Sequence, residues 1–270
     1  MPVYGATEPG NHHVTATARI VEYLNDVLET AAVPDYPNAL NGLQLANGGT
    51  VVRIAAAVDF STRTIAGAVE AGADMLLVHH GMFWGGLRRI DGADYTRLQI
   101  LVGHDIAVYS SHLPLDRHPL YGNNALLATE LGLEPDNEFA RYKTISVGVR
   151  GSSDVETAEL AARAEAFARS HDGASRTTHI AQGRRTRSWA ICTGAGASSE
   201  TLREAADGGV DTLIVGEGPH HTSVEAEESG ITVIYAGHYA TETLGVRALA
   251  AHVSDRFGIA WTFIEAPTGL

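Results

Sequence analysis

The sequence has a single cysteine, Cys192, among its 270 residues. One cysteine cannot form an intrachain disulfide, so we expect a protein of a reducing compartment, the cytoplasm. Basic residues are also few, because 19 lysines and arginines stand against 32 aspartates and glutamates, for a formal net charge of −13. This excess of negative charge disfavours nucleic acid and anionic membranes as partners.

Long apolar runs are absent too. No run approaches the roughly 18–20 residues that cross a bilayer, and the first residues lack the basic and then apolar pattern of a signal peptide. The chain instead has 44% hydrophobic residues and 29 glycines, which is typical of a globular α/β protein with one large or two small domains. Residues 1–14 show no periodicity and are predicted to form a flexible N-terminal arm.

Apolar strands and amphipathic helices alternate along the rest of the chain, which predicts β-α-β units. One such unit is repeated: TIAGAVEAGADMLLVHHG begins at Thr64, and TLREAADGGVDTLIVGEG begins at Thr201. The two segments align without a gap, and in this alignment His80 lies over Glu217. Either the chain contains two related halves, or the match reflects the general similarity of β-α-β units.

A second pair of segments follows the first. DIAVYSSHLPLD and ITVIYAGHYATE each contain a strand, a tyrosine, two small residues, a histidine and a carboxylate four positions later. We therefore predict an α/β fold of two pseudo-equivalent lobes, with mostly parallel sheets flanked by helices and a metal site between the lobes. The first lobe is expected to span residues 15–130 and 231–270 and to carry most of the metal ligands. The second is expected to span residues 131–230.

Polar residues follow several of the predicted strands. In a parallel α/β sheet, ligands bind beyond the carboxyl ends of the strands. Imidazole and carboxylate ligands together suit Zn, Mn, Fe or Ni better than Ca or Mg. Adjacent histidines can serve two metals, and water held by two metals is a ready nucleophile near neutral pH. The candidates are His79, His80, His112, Asp116, Glu217, His238 and Glu242.

Other features have competing interpretations. Of the pair that follows Glu217, His221 is the better candidate for an acid–base or substrate contact, although a surface histidine would fit the pattern equally well. Trp84 either packs as an ordinary apolar residue or stacks on a planar substrate. The sequence lacks the glycine-rich loops of nucleotide-cofactor folds and the Gly-x-Ser-x-Gly elbow of serine hydrolases. Cys192 lies in an apolar strand, where a buried thiol is normally inert.

The segments ADMLLVHHGMFWGG, SSHLPLD and AGHYATE, with NGLQLANG and VGEGPHHTSVEAEESGI, resemble the YbgI-like dinuclear-metal family, also known as GTP cyclohydrolase I type 2 homologues. The resemblance extends from about residue 15 to the C-terminus. It implies two divalent metal ions per chain, with Glu242 as a bridging ligand and His112 nearby, and a ring-shaped homohexamer. The ligands that it implies are His79, His80, Asp116, His238 and Glu242.

Together these features predict a dinuclear metal-dependent hydrolase. Its expected substrate is a small polar molecule, such as an amide, a cyclic amide or amidine, or a purine-type ring. His112, Glu217 and His221 are predicted to move protons or to orient the substrate. The alternative is a structural or regulatory metal-binding oligomer without turnover. The two differ in coordination, because a catalytic metal keeps a position open for water or substrate.

Overall fold

The computed structural model describes residues 14–270. These residues form two compact units. The first unit contains the described residues up to Leu115 together with Val246–Ala266, and the second contains Asp116–Gly245 together with Pro267–Leu270. The predicted N-terminal arm lies, apart from Val14, outside the described residues. No helix in the described part of the chain is both long and apolar enough to span a membrane.

The first unit is built on a five-stranded sheet with the strand order β13-β4-β5-β6-β2. Strands β13, β4, β5 and β6 are parallel, and β2 is an antiparallel edge strand. The elements are β1 (Thr15–Ala16), α1 (Thr17–Val27), β2 (Gly42–Leu45), β3 (Thr50–Val51), β4 (Arg53–Asp59), α2 (Thr62–Glu70), β5 (Met75–His80), α3 (Gly92–Gly103), β6 (Ala107–Ser110), α4 (Leu113–Asp116, which ends at the first residue of the second unit) and β13 (Ala260–Phe263).

Strand β5 lies at the centre of this sheet, and all six of its residues are buried. Its apolar part packs with the neighbouring strands and with Ile65 of α2 and Leu101 of α3. A strand covered on both faces is expected to be continuously apolar, as the segment MLLV is. The two histidines that complete β5 are therefore held at the end of a rigid, fully buried strand.

The second unit contains a six-stranded sheet with the order β7-β8-β10-β11-β12-β9. Its central strands β10, β11 and β12 are parallel, whereas β7, β8 and β9 pair antiparallel. The elements are α5 (Asn123–Glu130), β7 (Asn137–Tyr142), β8 (Ile145–Glu156), α6 (Thr157–Arg169), β9 (Arg176–Thr177), β10 (Arg185–Cys192), α7 (Ser199–Asp207), β11 (Thr212–Val215), α8 (His220–Glu228), β12 (Thr232–Tyr235) and α9 (His238–Phe257).

The unit boundaries differ from those expected from the sequence. Residues 116–130, 231–245 and 267–270 are expected in the first lobe, but they belong to the second unit. The reason is strand pairing, because β12 forms hydrogen bonds with β11 and so extends the second sheet. Helix α9 begins in the second unit, and its residues from Val246 onward belong to the first.

The internal repeat is present in the structure. The series β4-α2-β5-α3-β6 of the first unit has the same order as β10-α7-β11-α8-β12 of the second. Both α2 and α7 begin with a capping box, formed by Ser61 and Thr64 in one case and by Ser198 and Thr201 in the other. These pairs are separated by the constant offset that the sequence alignment requires.

Candidate metal centre

Three histidines meet at one end of the sheet of the first unit. His79 and His80 end β5, and His112 follows the adjacent parallel strand β6. At most 9% of each of His79, His80 and His112 is exposed. Each offers a ring nitrogen, and these three nitrogens lie within 4.8 Å of one another. The carboxyl ends of neighbouring parallel strands have thus brought residues 32 positions apart into one cluster, as expected for an α/β sheet.

Hydrogen bonds orient the first two imidazoles. His79 Nδ1 lies 2.9 Å from the carbonyl oxygen of Ser111. A carbonyl can only accept a hydrogen bond, so His79 carries its proton on Nδ1 and, when neutral, has a lone pair on Nε2. His80 Nδ1 lies 2.8 Å from a carboxylate oxygen of Asp59, which ends the adjacent strand β4. This contact favours the same tautomer in His80.

The third histidine is held by a buried carboxylate. His112 Nδ1 lies 2.9 Å from Asp35 Oδ1. The Asp35 carboxylate also accepts hydrogen bonds from the backbone amides of Tyr36 and Leu113 and from the side chain of Asn41. Burial raises the pKa of Asp35, but His112 and the other hydrogen-bond donors lower it by more than burial raises it. The pKa of Asp35 therefore lies below its ordinary value. Asp35 is therefore a charged anchor for the His112 ring.

The second unit presents its own pair of metal-ligand types at the start of α9. His238 Nδ1 lies 2.7 Å from Glu217 Oε1, and its Nε2 lies 3.1 Å from Glu242 Oε2, one helical turn away. Glu242 is 3% exposed. Burial lowers the pKa of His238, but the contacts with Glu242 and Glu217 outweigh burial and raise this pKa to about 9.

Gly194 makes room for these two side chains. It adopts a positive φ of 62°, and a Cβ at this position would collide with Glu242 Oε1 and lie 3.3 Å from His238 Nε2. Its amide donates a hydrogen bond to the hydroxyl of Thr241, 3.1 Å away. The turn after β10 therefore approaches α9 closely because residue 194 has no side chain.

Asp116 is fixed within the same unit. It is 7% exposed, and its Oδ1 accepts a hydrogen bond of 2.8 Å from the side-chain amide of Asn123. The Asn123 oxygen in turn accepts from the backbone amide of Gly245, which assigns the amide orientation. The side-chain amide of Asn124 donates a hydrogen bond of 3.1 Å to the backbone carbonyl oxygen of Asp116. A buried carboxylate with a fixed orientation has the form of a preorganised metal ligand.

The donor set fits a divalent transition metal. His79, His80, His112 and His238 each have Nδ1 against an oxygen atom, and this pattern is characteristic of histidines that bind a metal through Nε2. Imidazole nitrogen and carboxylate oxygen match the preferences of Zn, Mn and Fe. The three histidines of the first unit could thus hold a metal ion.

The structure places the residues that were predicted to be catalytic in three different settings. His112 lies in the histidine cluster itself. Glu217 accepts the hydrogen bond from His238 and so positions that ring. His221 lies exposed in the first turn of α8. The roles assigned to these three residues stay predictions.

Sequence reasoning missed Asp35 and Asp59. Asp59 could have been found, because it ends the strand beside β5 and is paired with His80 in the sheet register. Asp35 had no such signal, since it lies in the loop after α1 and reaches a histidine 77 positions away.

Comparison with known proteins agrees with the sequence resemblance. A family model described as Duf34/NIF3 (NGG1p interacting factor 3) matches residues 15–268. The chain belongs to the Duf34/NIF3 family. This Duf34/NIF3 chain is 40% identical over 257 residues to a protein of Deinococcus radiodurans, and the match covers 93% of each. It is 44% identical over 242 residues to a protein of Halobacterium salinarum, with coverage of 88% of this chain and 94% of the relative. Both relatives are named GTP cyclohydrolase 1 type 2 homolog.

Among solved structures, this Duf34/NIF3 chain resembles one described as the protein ybgI, of unknown function. The TM-score is 0.86 at 34% identity, and the match covers 95% of this chain and all of the other. The predicted YbgI-like family and the α/β fold class are thereby confirmed.

Proposed function

We propose that the protein is a dinuclear metal-dependent hydrolase of small polar substrates. The observation that supports this most is the common arrangement of His79, His80, His112 and His238, whose Nδ1 atoms all face oxygen acceptors. Such hydrogen bonds fix the tautomer of a ligand histidine and raise its basicity. The proposed ligands of the two metals are His79, His80, Asp116, His238 and Glu242, with Glu242 as the bridge.

Within this proposal, different side chains orient the histidines and transfer protons. Metal ions, when bound, activate water as a nucleophile near neutral pH. Glu217 keeps the proton of His238 on Nδ1, and Asp35 does the same for His112. His112 Nε2 can exchange a proton with water or substrate at the cluster, because its other nitrogen is occupied by Asp35. His221 is proposed as a further acid–base or substrate contact.

A purine-type ring is the leading substrate class within this proposal. Its support is the name GTP cyclohydrolase 1 type 2 homolog, which the relatives carry. Cleavage of an amide, cyclic amide or amidine bond needs a nucleophile and a proton donor, both of which the proposed site supplies.

The test is metal content and turnover measured on the same sample. Protein purified without chelator is analysed by mass spectrometry and then offered amide, cyclic-amide and purine substrates. The proposal predicts about two divalent metals per chain and an activity that chelation abolishes and one metal restores. His80→Ala should lose metal and activity, whereas His104→Ala, a change at an exposed histidine of the same unit, should lose neither.

Other outcomes separate the alternatives. Two metals without turnover on any substrate would support the structural or regulatory oligomer instead. The absence of metal from wild-type protein would contradict both. The homohexamer implied by the sequence resemblance stays a proposal, which analytical ultracentrifugation at several protein concentrations tests.

A further inference from the structure

Two aromatic side chains lie against the histidine cluster of the first unit. The Trp84 ring centroid is 5.0 Å from that of His80 and 4.6 Å from that of His112. Tyr36 lies 6.0 Å from His112 and 6.3 Å from Trp84. Trp84 is 39% exposed and Tyr36 is 50% exposed, although the histidines that they contact are buried.

Both aromatic rings are partly exposed and cross the planes of their neighbours at an angle. Tyr36 meets Trp84 at 80°, and Trp84 meets His112 at 64° and His80 at 44°. None of these contacts is a parallel stack. An indole that serves only to fill a core would be covered, as Trp189 is at 0% exposure. Trp84 instead leaves part of its indole in water beside a polar cluster, where a ligand that covers it would gain apolar contact.

The backbone holds both aromatic residues in place. The Tyr36 amide donates a hydrogen bond of 2.6 Å to Asp35, the carboxylate that anchors His112. Trp84 lies in a turn whose Met82 amide donates to Gln44 Oε1 at 2.7 Å. A Cβ on Gly81 would collide with that Gln44 side chain, so the absence of a side chain at residue 81 allows the turn to close. The two rings are thus positioned by the same segments that build the cluster.

We infer that Tyr36 and Trp84 form a ring-binding subsite that places a planar ring beside the histidine cluster. This inference rests on the proposed metal function and specifies its substrate. Aromatic side chains bind planar rings by stacking, with little preference for one base over another. They also bind cations, but divalent metals held by His79 and His80 would repel a cationic ligand. A neutral or anionic ring is therefore the fitting occupant.

The test compares guanosine with methyl riboside, which has the sugar but no ring. Binding to the metal-loaded protein is measured by calorimetry, and the metal content of every variant is measured separately. Guanosine should bind to the wild type more tightly than methyl riboside does. Trp84→Ala should weaken guanosine binding by about 5- to 150-fold, the range for loss of one base–aromatic stack. Trp84→Phe, which keeps a stacking ring, should restore most of the affinity.

Controls separate this subsite from the metal site. Leu87→Ala changes a fully exposed apolar residue of the same loop and should leave guanosine binding unchanged. Tyr36→Ala should weaken binding and Tyr36→Phe should not. Retained metal in Trp84→Ala, together with weakened guanosine binding, would support the inference.

Three results would overturn it: equal affinity for guanosine and methyl riboside, unchanged binding by Trp84→Ala, or no guanosine binding by a wild type that contains metal. A wild type without metal contradicts the proposed function instead. If the protein contains no metal but its guanosine binding still depends on Trp84, the ring-binding subsite is supported.

Discussion

Replacement of Asp35 by asparagine removes one charge while preserving the size of the side chain. In the wild type, four donors converge on the two carboxylate oxygens. The Tyr36 amide approaches Oδ1, and Asn41 and the Leu113 amide approach Oδ2. His112 Nδ1 lies 2.9 Å from Oδ1 and 3.2 Å from Oδ2. An asparagine has only one oxygen. Whichever way its amide is oriented, the nitrogen faces at least one backbone amide donor, so at least one hydrogen bond is lost and the others lose their charged acceptor.

The magnitude of the effect follows from this count. Each hydrogen bond to a charged group contributes about 1.5–3 kcal/mol, so Asp35→Asn should lower the free energy of unfolding by at least about 1.5–3 kcal/mol. The 6% exposure of the Asp35 side chain means that little water is available to replace the lost partners. The neutral amide would also hold the His112 proton on Nδ1 less firmly than the carboxylate does. Metal affinity should stay near the wild-type value, because His112 is not among the proposed metal ligands.

Two assays check these expectations for Asp35→Asn. Urea unfolding of the metal-free protein measures the loss of stability, and competition with a coloured zinc chelator shows whether zinc affinity is unchanged. Asp154→Asn is the matched control, because Asp154 is an exposed carboxylate paired with Arg185 in the other unit, and it should change neither quantity. The stability argument is refuted if Asp35→Asn unfolds at the wild-type urea concentration. The proposed ligand set is contradicted if this variant binds zinc much more weakly than the wild type.

Three further predictions concern the second unit and the repeat. Gly194→Ala should destabilise the fold by more than the roughly 1–2 kcal/mol of backbone strain, because the added methyl group also displaces Glu242; urea unfolding measures the difference. The pKa of His238 is about 9 in the absence of metal, above its ordinary value of 6.5. His238 should therefore stabilise the metal-free protein fully below about pH 6.5, and this stabilisation should be lost as the pH rises through about 9. Ser61→Ala and Ser198→Ala should each lower the free energy of unfolding by about 1 kcal/mol. The two losses should be similar, since each variant removes an equivalent helix cap.

Controls make these predictions specific. Gly209→Ala introduces a side chain at a φ of 67° into open space, so it should show the backbone strain alone; a loss equal to that of Gly194→Ala would contradict the predicted collision. For His238, the glutamine variant should lose the decline in stability between pH 6.5 and about 9. If that decline persists in His238→Gln, another group causes it. Unequal losses for Ser61→Ala and Ser198→Ala would contradict the equivalence of the two caps.

Much of the fold could be predicted from local patterns. The Ser61 and Ser198 caps and the apolar strand before His79 lie within short segments, and short-range patterns specify helices and strands. The antiparallel strands of the second sheet could not be recognised in this way, because pairing of β8 with β10 joins residues such as Gly151 and Trp189 that are far apart in sequence. The same limit explains the misplaced unit boundaries, since β12 is assigned by its partner strand.

The candidate site likewise combines residues that local patterns predict with residues that depend on distant partners. The histidines could be found because polar residues directly after apolar strands are unusual and because strand ends converge. Asp35, which fixes His112, could not be found, since an aspartate in a loop has no pattern that reveals its distant partner. Trp84 was similarly ambiguous, because the sequence does not show that its ring is partly exposed beside buried histidines. Tyr36 gave no signal in the sequence.

The central claim is that His79, His80 and His238 bind metal through Nε2 while an oxygen atom accepts the hydrogen bond from each Nδ1. Anomalous diffraction from crystals grown with zinc, recorded at the zinc absorption edge, tests it most directly. The account predicts anomalous peaks about 2.0–2.1 Å from the Nε2 atoms of His79, His80 and His238, with the Nδ1 contacts to Ser111, Asp59 and Glu217 intact. Zinc bound through Nδ1, or no peak at these residues in active protein, would contradict it.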